Sequence, residues 1–253
     1  MADLGNNTAS GNELRMNLVI DSGNTRIKVA SFSGSRLIEK QSFSNQEELK
    51  HFLNHHTFSH AIASSVSIDG NTLLGWTQGE KKYLLTYLLP LPIQIQYETP
   101  QTLGVDRIAA VCGADEIFPE KNVLVIDAGT CITYDFMDAH RNYRGGGISP
   151  GIKMRLNALH TFTERLPLIS SDGEAELIGS TTEKSIRSGV LNGILAEVEG
   201  IIRKYRELYP DLGVVLCGGD SFFFENNLKP TIFAAPDLVL SGLNRILRHN
   251  AAL

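Results

Sequence analysis

Three of the aspartate–glycine stretches in this 253-residue chain have the residues to do chemistry: Asp21-Ser22-Gly23-Asn24-Thr25, Gly104-Val105-Asp106-Arg107 and Asp127-Ala128-Gly129-Thr130. A turn glycine can take positive φ and brings backbone N–H groups close to a ligand. A concave row of such donors suits an anion, and the adjacent carboxylate suits a hard cation held by that anion. Asp106 falls in the first turn of a helical stretch, where it reads either as an aspartate that stabilises the helix dipole or as a base held at a cleft. Arg107 points roughly 100° away around the helix. It need not neutralise Asp106 and is free to meet a separate carboxylate on a substrate.

The elements around the first and third aspartates repeat. Leu18-Val19-Ile20 runs as a buried strand into Asp21, and Leu124-Val125-Ile126 runs into Asp127. Each turn is followed by a second strand, Arg26 to Phe32 and Cys131 to Met137, so each unit reads as a hairpin. The copies lie nearly half a chain length apart, too far for a solenoid period. They predict two similar halves, 16–118 and 119–253, facing each other across a cleft. Two unrelated strand-turn signals that share a short apolar string are the alternative. Residues 1–15 are polar and read as a disordered leader or expression remnant, with Met16 as the natural start.

Between these units the pattern predicts a third strand over 36–43 and a helix from Asn45, its N-cap, to Leu53. His60 to Val66 reads as a central parallel strand, Lys81 to Leu89 as a helix stopped by Pro90, and Ile93 to Tyr97 as a half-buried strand. The small residues from Ala109 to Ala114 allow a helix to pack closely. Gly145-Gly146-Gly147 precedes a helical pattern from Ile152 and reads either as an anion-binding backbone or as a plain turn. Ser180-Thr181-Thr182-Glu183 has the form of a capping box before a long apolar stripe, Ile186 to Ile202. A strand over 213–217 ends in Gly218-Gly219, and a last amphipathic helix covers 238–247. His51, His55, His56 and His60 have spacings open to a metal but fit a solvated surface better.

Composition narrows the function class. Net charge is −5, which disfavours nucleic acid and anionic membranes as partners. Cys112, Cys131 and Cys217 are far apart and outside any zinc spacing, as expected of reduced, packing cysteines in a cytoplasmic protein. There is no run long enough for a membrane span, no secretion signal, no G-x-x-x-x-G-K-[ST] and no G-x-G-x-x-G after a strand.

Duplicated Asp-x-Gly hairpins with a late strand ending in Gly-Gly resemble the acetate kinase, sugar kinase, Hsp70 and actin superfamily. Within it, Asp21 to Thr25 with Lys28, Gly104 to Arg107, Asp127 to Thr130, and Gly146-Gly147-Ile148-Ser149-Pro150-Gly151 resemble the type III pantothenate kinases. That resemblance implies an α/β fold of two ribonuclease H-like halves, with mixed five-stranded sheets flanked by helices. It implies phosphorylation of pantothenate by ATP, with Mg²⁺ and a monovalent cation, K⁺ or NH₄⁺, in a homodimer. By position, Asp21, Ser22, Gly23, Asn24, Thr25, Arg26, Ile27 and Lys28 form the phosphate-binding hairpin, with Asp21 near the Mg²⁺ of Mg-ATP. Asp106 is the general base. Tyr97, Gly104, Val105, Asp106 and Arg107 line the pantothenate site. Asp127 binds the monovalent cation, Thr130 contacts ATP, and Thr182 contacts substrate across the dimer interface. Cys131, where the family often has alanine, and Ser180-Thr181, where an Asn-containing turn is usual, depart from the pattern. Another small-molecule kinase of the superfamily and a non-enzymatic nucleotide-gated scaffold are the rival readings.

Overall fold

The computed structural model describes residues 16–23, 26–66, 68–228 and 232–253, so the expectations for residues 1–15, Asn24 and Thr25 lie outside the described residues. The first sheet starts as an antiparallel meander of β1 (Met16–Ser22), β2 (Ile27–Ser33) and β3 (Arg36–Phe43). Helix α1 (Gln46–Asn54), capped by the Asn45 side chain on Glu48 N at 2.8 Å, leads to β4 (Thr57–Ser65), parallel to β1. Helix α2 (Gly70–Gly75) leads to β5 (Gln78–Leu84), parallel to β4. The strand order is β3-β2-β1-β4-β5.

Apolar runs form these strands because both faces are covered. Leu18 and Ile20 pack with Leu49, Leu53 and Leu73 on one side of the sheet. Val19, one residue out of phase, packs with α3 (Val105–Ile117) and α7 (Leu238–Ala251) on the other. Period-2 alternation with two buried faces leaves no polar position inside such a run.

The second sheet repeats the order. β7 (Val123–Ala128), β8 (Cys131–Met137) and β9 (Asn142–Pro150) form the meander. Helices α4 (Ile152–Thr161) and α5 (Thr182–Leu208) precede β10 (Gly213–Cys217), parallel to β7. Helix α6 (Ser221–Asn227) precedes the short β11 (Phe233–Ala234). The order β11-β10-β7-β8-β9 matches the first sheet, and β6 (Gln94–Ile95) adds a sixth strand beside β9. The alternative of unrelated strand-turn signals is thereby removed.

Helices α3 and α7 form the layer between the sheets. A single core holds Val19 and Ile62 of the first sheet, Val123, Val125 and Val215 of the second, and Ile108, Val111, Leu243 and Ile246 of the two helices. Close approach depends on glycine: a Cβ at Gly242 would lie 1.8 Å from Ala109 O, and one at Gly113 2.6 Å from Leu238 O. A polar tie runs from Asn17 on β1 through Asn244 on α7 to Gly34 O, with hydrogen bonds of 3.1 and 2.9 Å.

Two expectations fail. Lys81 to Leu89 is not helical; its first part is the edge strand β5. Gly79 lets β5 lie against Phe58, where a Cβ would be 3.1 Å from the carbonyl oxygen. Glu80, Lys81 and Lys82 charge the exposed edge, a pattern that blocks pairing with another chain rather than a helical face. Lys82 also donates to Leu74 O and Thr77 O behind α2, at 3.1 and 2.6 Å. The N-cap of α5 is Thr181, whose hydroxyl accepts from Lys184 N at 3.2 Å, so the capping residue falls one place after Ser180. Among the described residues, no helix is long and apolar enough to cross a membrane.

Candidate active site

Asp21 and Asp127 occupy the same place in the two sheets, one residue before the end of β1 and of β7. Each faces a partner on the next parallel strand. Ser64 Oγ on β4 donates to Asp21 Oδ1 at 2.9 Å. Cys217 on β10 stands opposite Asp127, and burial first and the Asp127 charge next push its thiol up. Across the hairpins, Asp21 pairs in register with Lys28 and Asp127 with Thr133.

The turns beyond the aspartates are tight. Gly23 N donates to Arg26 O at 3.2 Å, and Gly129 N donates to Cys131 O at 2.9 Å. Ser22 and Ile27 are buried, Lys28 is half-buried, and Arg26 and Thr130 are exposed. Two glycines outside the hairpins close around the second turn. Gly218, at φ +95°, would put a Cβ 2.5 Å from Asp127 Oδ1, and Gly151 would put one 2.3 Å from Gly129 O. The strand ending in Gly218-Gly219 therefore abuts Asp127, and Asp220 N donates to Ala128 O at 2.9 Å.

Asp106 sits in the first turn of α3, half-buried, with Oδ1 accepting from Arg107 N at 2.9 Å. Gly104, the N-cap, leaves room for it: a Cβ there would be 2.5 Å from Asp106 Oδ1. Val105 is half-buried beside it.

The charge of Asp106 acts on both other carboxylates. Asp127 is pushed up to about 6, first by burial and next by the charge of Asp106, with Asp21 and Asp135 adding and Lys28 opposing. Asp21 is raised by burial and by Asp106, against the Ser64 hydrogen bond and Lys28. Three acids drawn together with one lysine leave an excess of negative charge. A donor set of carboxylate oxygens in that state fits hard cations such as Mg²⁺ and K⁺. Among the described residues, no group of three or more His, Cys, Asp or Glu side chains forms a metal cage, so a cation here would share its coordination with other donors. The histidines of α1 are engaged locally: His51 and His55 stack at 4.2 Å, and His55 Nδ1 and His56 Nδ1 contact the carbonyls of His51 and Phe52 at 2.7 Å.

Arg107 is 8% exposed and turns to Asp135, with Nε at 2.8 Å and Nη2 at 2.7 Å from Oδ1. Tyr97 lies near enough to the guanidinium to favour its charged form. Asp135, Tyr143 and Thr133 escaped the sequence reading. The available signal was an aspartate in the middle of the apolar strand Cys131–Met137, which a buried position tolerates only with a partner. The Gly145 to Gly147 run is neither an anion loop nor a turn. It lies within β9, and its members pair with Phe136, Asp135 and Tyr134 of β8. A Cβ on Gly145 (φ +99°) would lie 3.2 Å from the Tyr97 ring. Thr182 is exposed at the start of α5.

Residues 17–204 match the family model described as type III pantothenate kinase. A type III pantothenate kinase from Bacteroides fragilis is 48% identical over 240 residues, covering 93% of this chain and 98% of that protein. In structure, the chain is similar to component A of (R)-2-hydroxyglutaryl-CoA dehydratase from Acidaminococcus fermentans. The TM-score is 0.56 at 15% identity, over 94% of this chain and 99% of that one. It is also similar to a glucokinase from an Antarctic psychrotroph, with a TM-score of 0.52 at 12% identity, over 93% of this chain and 99% of that one. At these identities the two structures show the fold alone, and they fit two ribonuclease H-like halves around a cleft.

Proposed function

The chain belongs to the type III pantothenate kinase family, and on that premise we propose how its own residues phosphorylate pantothenate with ATP to 4'-phosphopantothenate, the first step of coenzyme A biosynthesis. The observation that carries the reading is the placement of Asp21 and Asp127 at matching ends of β1 and β7, with the charge of Asp106, in the first turn of α3, acting on both.

Phosphoryl transfer needs positioning and charge neutralisation more than covalent help. The hairpin from Asp21 to Lys28 holds the phosphates, with Lys28 as its positive charge and Thr130 touching the nucleotide from the other half. Mg²⁺ carried in with ATP and a K⁺ or NH₄⁺ ion supply further positive charge when bound, the first beside Asp21 and the second on Asp127. Tyr97, Gly104, Val105 and Arg107 line the acceptor site. The acceptor hydroxyl oxygen attacks the γ-phosphorus, its proton passes to the Asp106 carboxylate, the bond to the bridging oxygen breaks, and ADP leaves.

Thr182 contributes from a second copy of the chain. What supports a homodimer is that the large apolar side chains of Phe162, at the end of α4, and of Leu177 and Ile178, just before α5, are each more than 80% exposed. Leu177→Glu should give monomers in sedimentation; an unaltered dimer would remove this surface from the interface. The absence of a candidate membrane helix among the described residues and three unpaired cysteines support a cytoplasmic setting.

ADP release, coupled to a spectroscopic readout and measured with pantothenate with and without potassium, tests the whole reading. Turnover that requires both is the expected result. Turnover on sugars but not on pantothenate would transfer the site to another acceptor.

A further inference from the structure

Asp135 takes no part in the chemistry above, yet it is fully buried and saturated with donors. Arg107 reaches Oδ1 through Nε and Nη2, at 2.8 and 2.7 Å. The Tyr143 hydroxyl donates to Oδ1 at 2.7 Å, and the Thr133 hydroxyl donates to Oδ2 at 2.8 Å. Arg107 is the neighbour of Asp106 on α3, and its guanidinium also meets Tyr97. The Tyr97 ring lies 6.1 Å from the Tyr143 ring and against Gly145, where a Cβ would be 3.2 Å away. Of the two side chains read as lining the acceptor site, Asp135 thus bonds Arg107 directly and reaches the Tyr97 ring through Tyr143.

A buried ion pair adds little stability compared with apolar groups of the same volume. Its distinctive property is orientation: a carboxylate held by two hydroxyl donors besides the arginine leaves the arginine one geometry. We infer that Asp135 is a positioning residue for the acceptor, holding the Arg107 guanidinium and, through it and Tyr143, the Tyr97 ring in the arrangement that receives pantothenate. This rests on the acceptor-site reading of Arg107 and Tyr97. Asp135 lies on β8 rather than on the Asp21 to Lys28 hairpin, so the larger effect is expected on the acceptor, while its charge also reaches Asp127.

Steady-state kinetics of the full-length enzyme, with each substrate varied in turn, separate the possibilities. Asp135→Asn should lower kcat/KM for pantothenate by about 30-fold or more while the KM for ATP stays within about twofold. Tyr143→Phe keeps the ion pair and should raise the KM for pantothenate by about threefold to tenfold, which leaves a test if Asp135→Asn does not fold. If Asp135 acts through Arg107, the double variant Arg107→Gln/Asp135→Asn is no worse than Arg107→Gln alone. Additive losses, or equal losses toward both substrates, would reduce Asp135 to a fold element and overturn the inference. If Arg107→Gln impairs pantothenate use while Tyr143→Phe and Asp135→Asn do not, the positioning role falls and the acceptor reading stands. If Arg107→Gln leaves pantothenate kinetics unchanged, the acceptor reading itself falls, and the inference with it.

Discussion

Asp106 opens α3 and Asp127 ends β7, yet the charge of Asp106 is the largest influence after burial in holding the Asp127 carboxyl near 6. Two carboxylates from different halves of the repeat are therefore electrostatically linked, and the charge of one acts on the other.

The first consequence concerns pH. The Asp127 pKa in the folded chain is raised from an ordinary 3.8 to about 6. Its contribution to stability is therefore fully present below the unfolded value and is lost as pH rises through about 6. Relative to Asp127→Asn, the cation-free wild type should gain stability on acidification across that window. On the proposed role of Asp127 as the cation ligand, protons and potassium compete for one site. Potassium should raise the melting temperature more at about pH 7.5 than at about pH 5, with no such difference in Asp127→Asn. Equal potassium effects at both pH values would remove Asp127 as the cation ligand.

Replacing the base should be felt in two places. Asp106→Asn is expected to lower kcat by about 10²–10⁴-fold, the usual worth of a positioned general base, with nucleotide affinity nearly intact. The same substitution removes a charge that raises Asp127, so the carboxyl resonance of Asp127 should titrate at lower pH. Loss of nucleotide binding to the same degree as turnover, in a folded protein, would contradict the base role.

Gly104 offers a lighter perturbation. Its φ of −58° suits alanine, so only the clash of a Cβ 2.5 Å from Asp106 Oδ1 is introduced. Gly104→Ala should leave the melting temperature nearly unchanged and reduce kcat by at least about tenfold, because a displaced catalytic group loses its attack geometry. A fully active variant would show that the carboxylate does its work from another rotamer.

The contact between α3 and α7 carries the fold's weight on that helix. Gly242→Ala would set a Cβ 1.8 Å from Ala109 O, a backbone atom with little room to move. Urea unfolding should show a loss of about 1–3 kcal/mol or more, as overpacked cores do. An unchanged midpoint would mean that the helices separate at no cost.

The strands around Asp21 and Asp127 were legible because a run such as Leu18-Val19-Ile20, buried on both faces and stopped by a glycine turn, has few other structures open to it. The cap at Asn45 and the helix after Gly104 were legible for similarly local reasons. Residues 78–84 were not, because β5 is held by pairing with β4, and its charged edge has no signature within the segment. The run Gly145 to Gly147 misled in the same way. Its glycines serve contacts with Tyr97 and with Tyr134, where a Cβ on Gly146 would lie 1.6 Å from the carbonyl oxygen.

From its residues alone the chain determined two acid-bearing hairpins in two similar halves, with a third acid at a helix start. Only the tertiary structure decided that Asp21, Asp106 and Asp127 share one field and that Arg107 belongs to Asp135. Turn and strand preferences act over a few neighbouring residues. Charge coupling and buried pairing depend on where elements far apart in the chain come to rest, and that is settled when α3 and α7 pack between the two sheets.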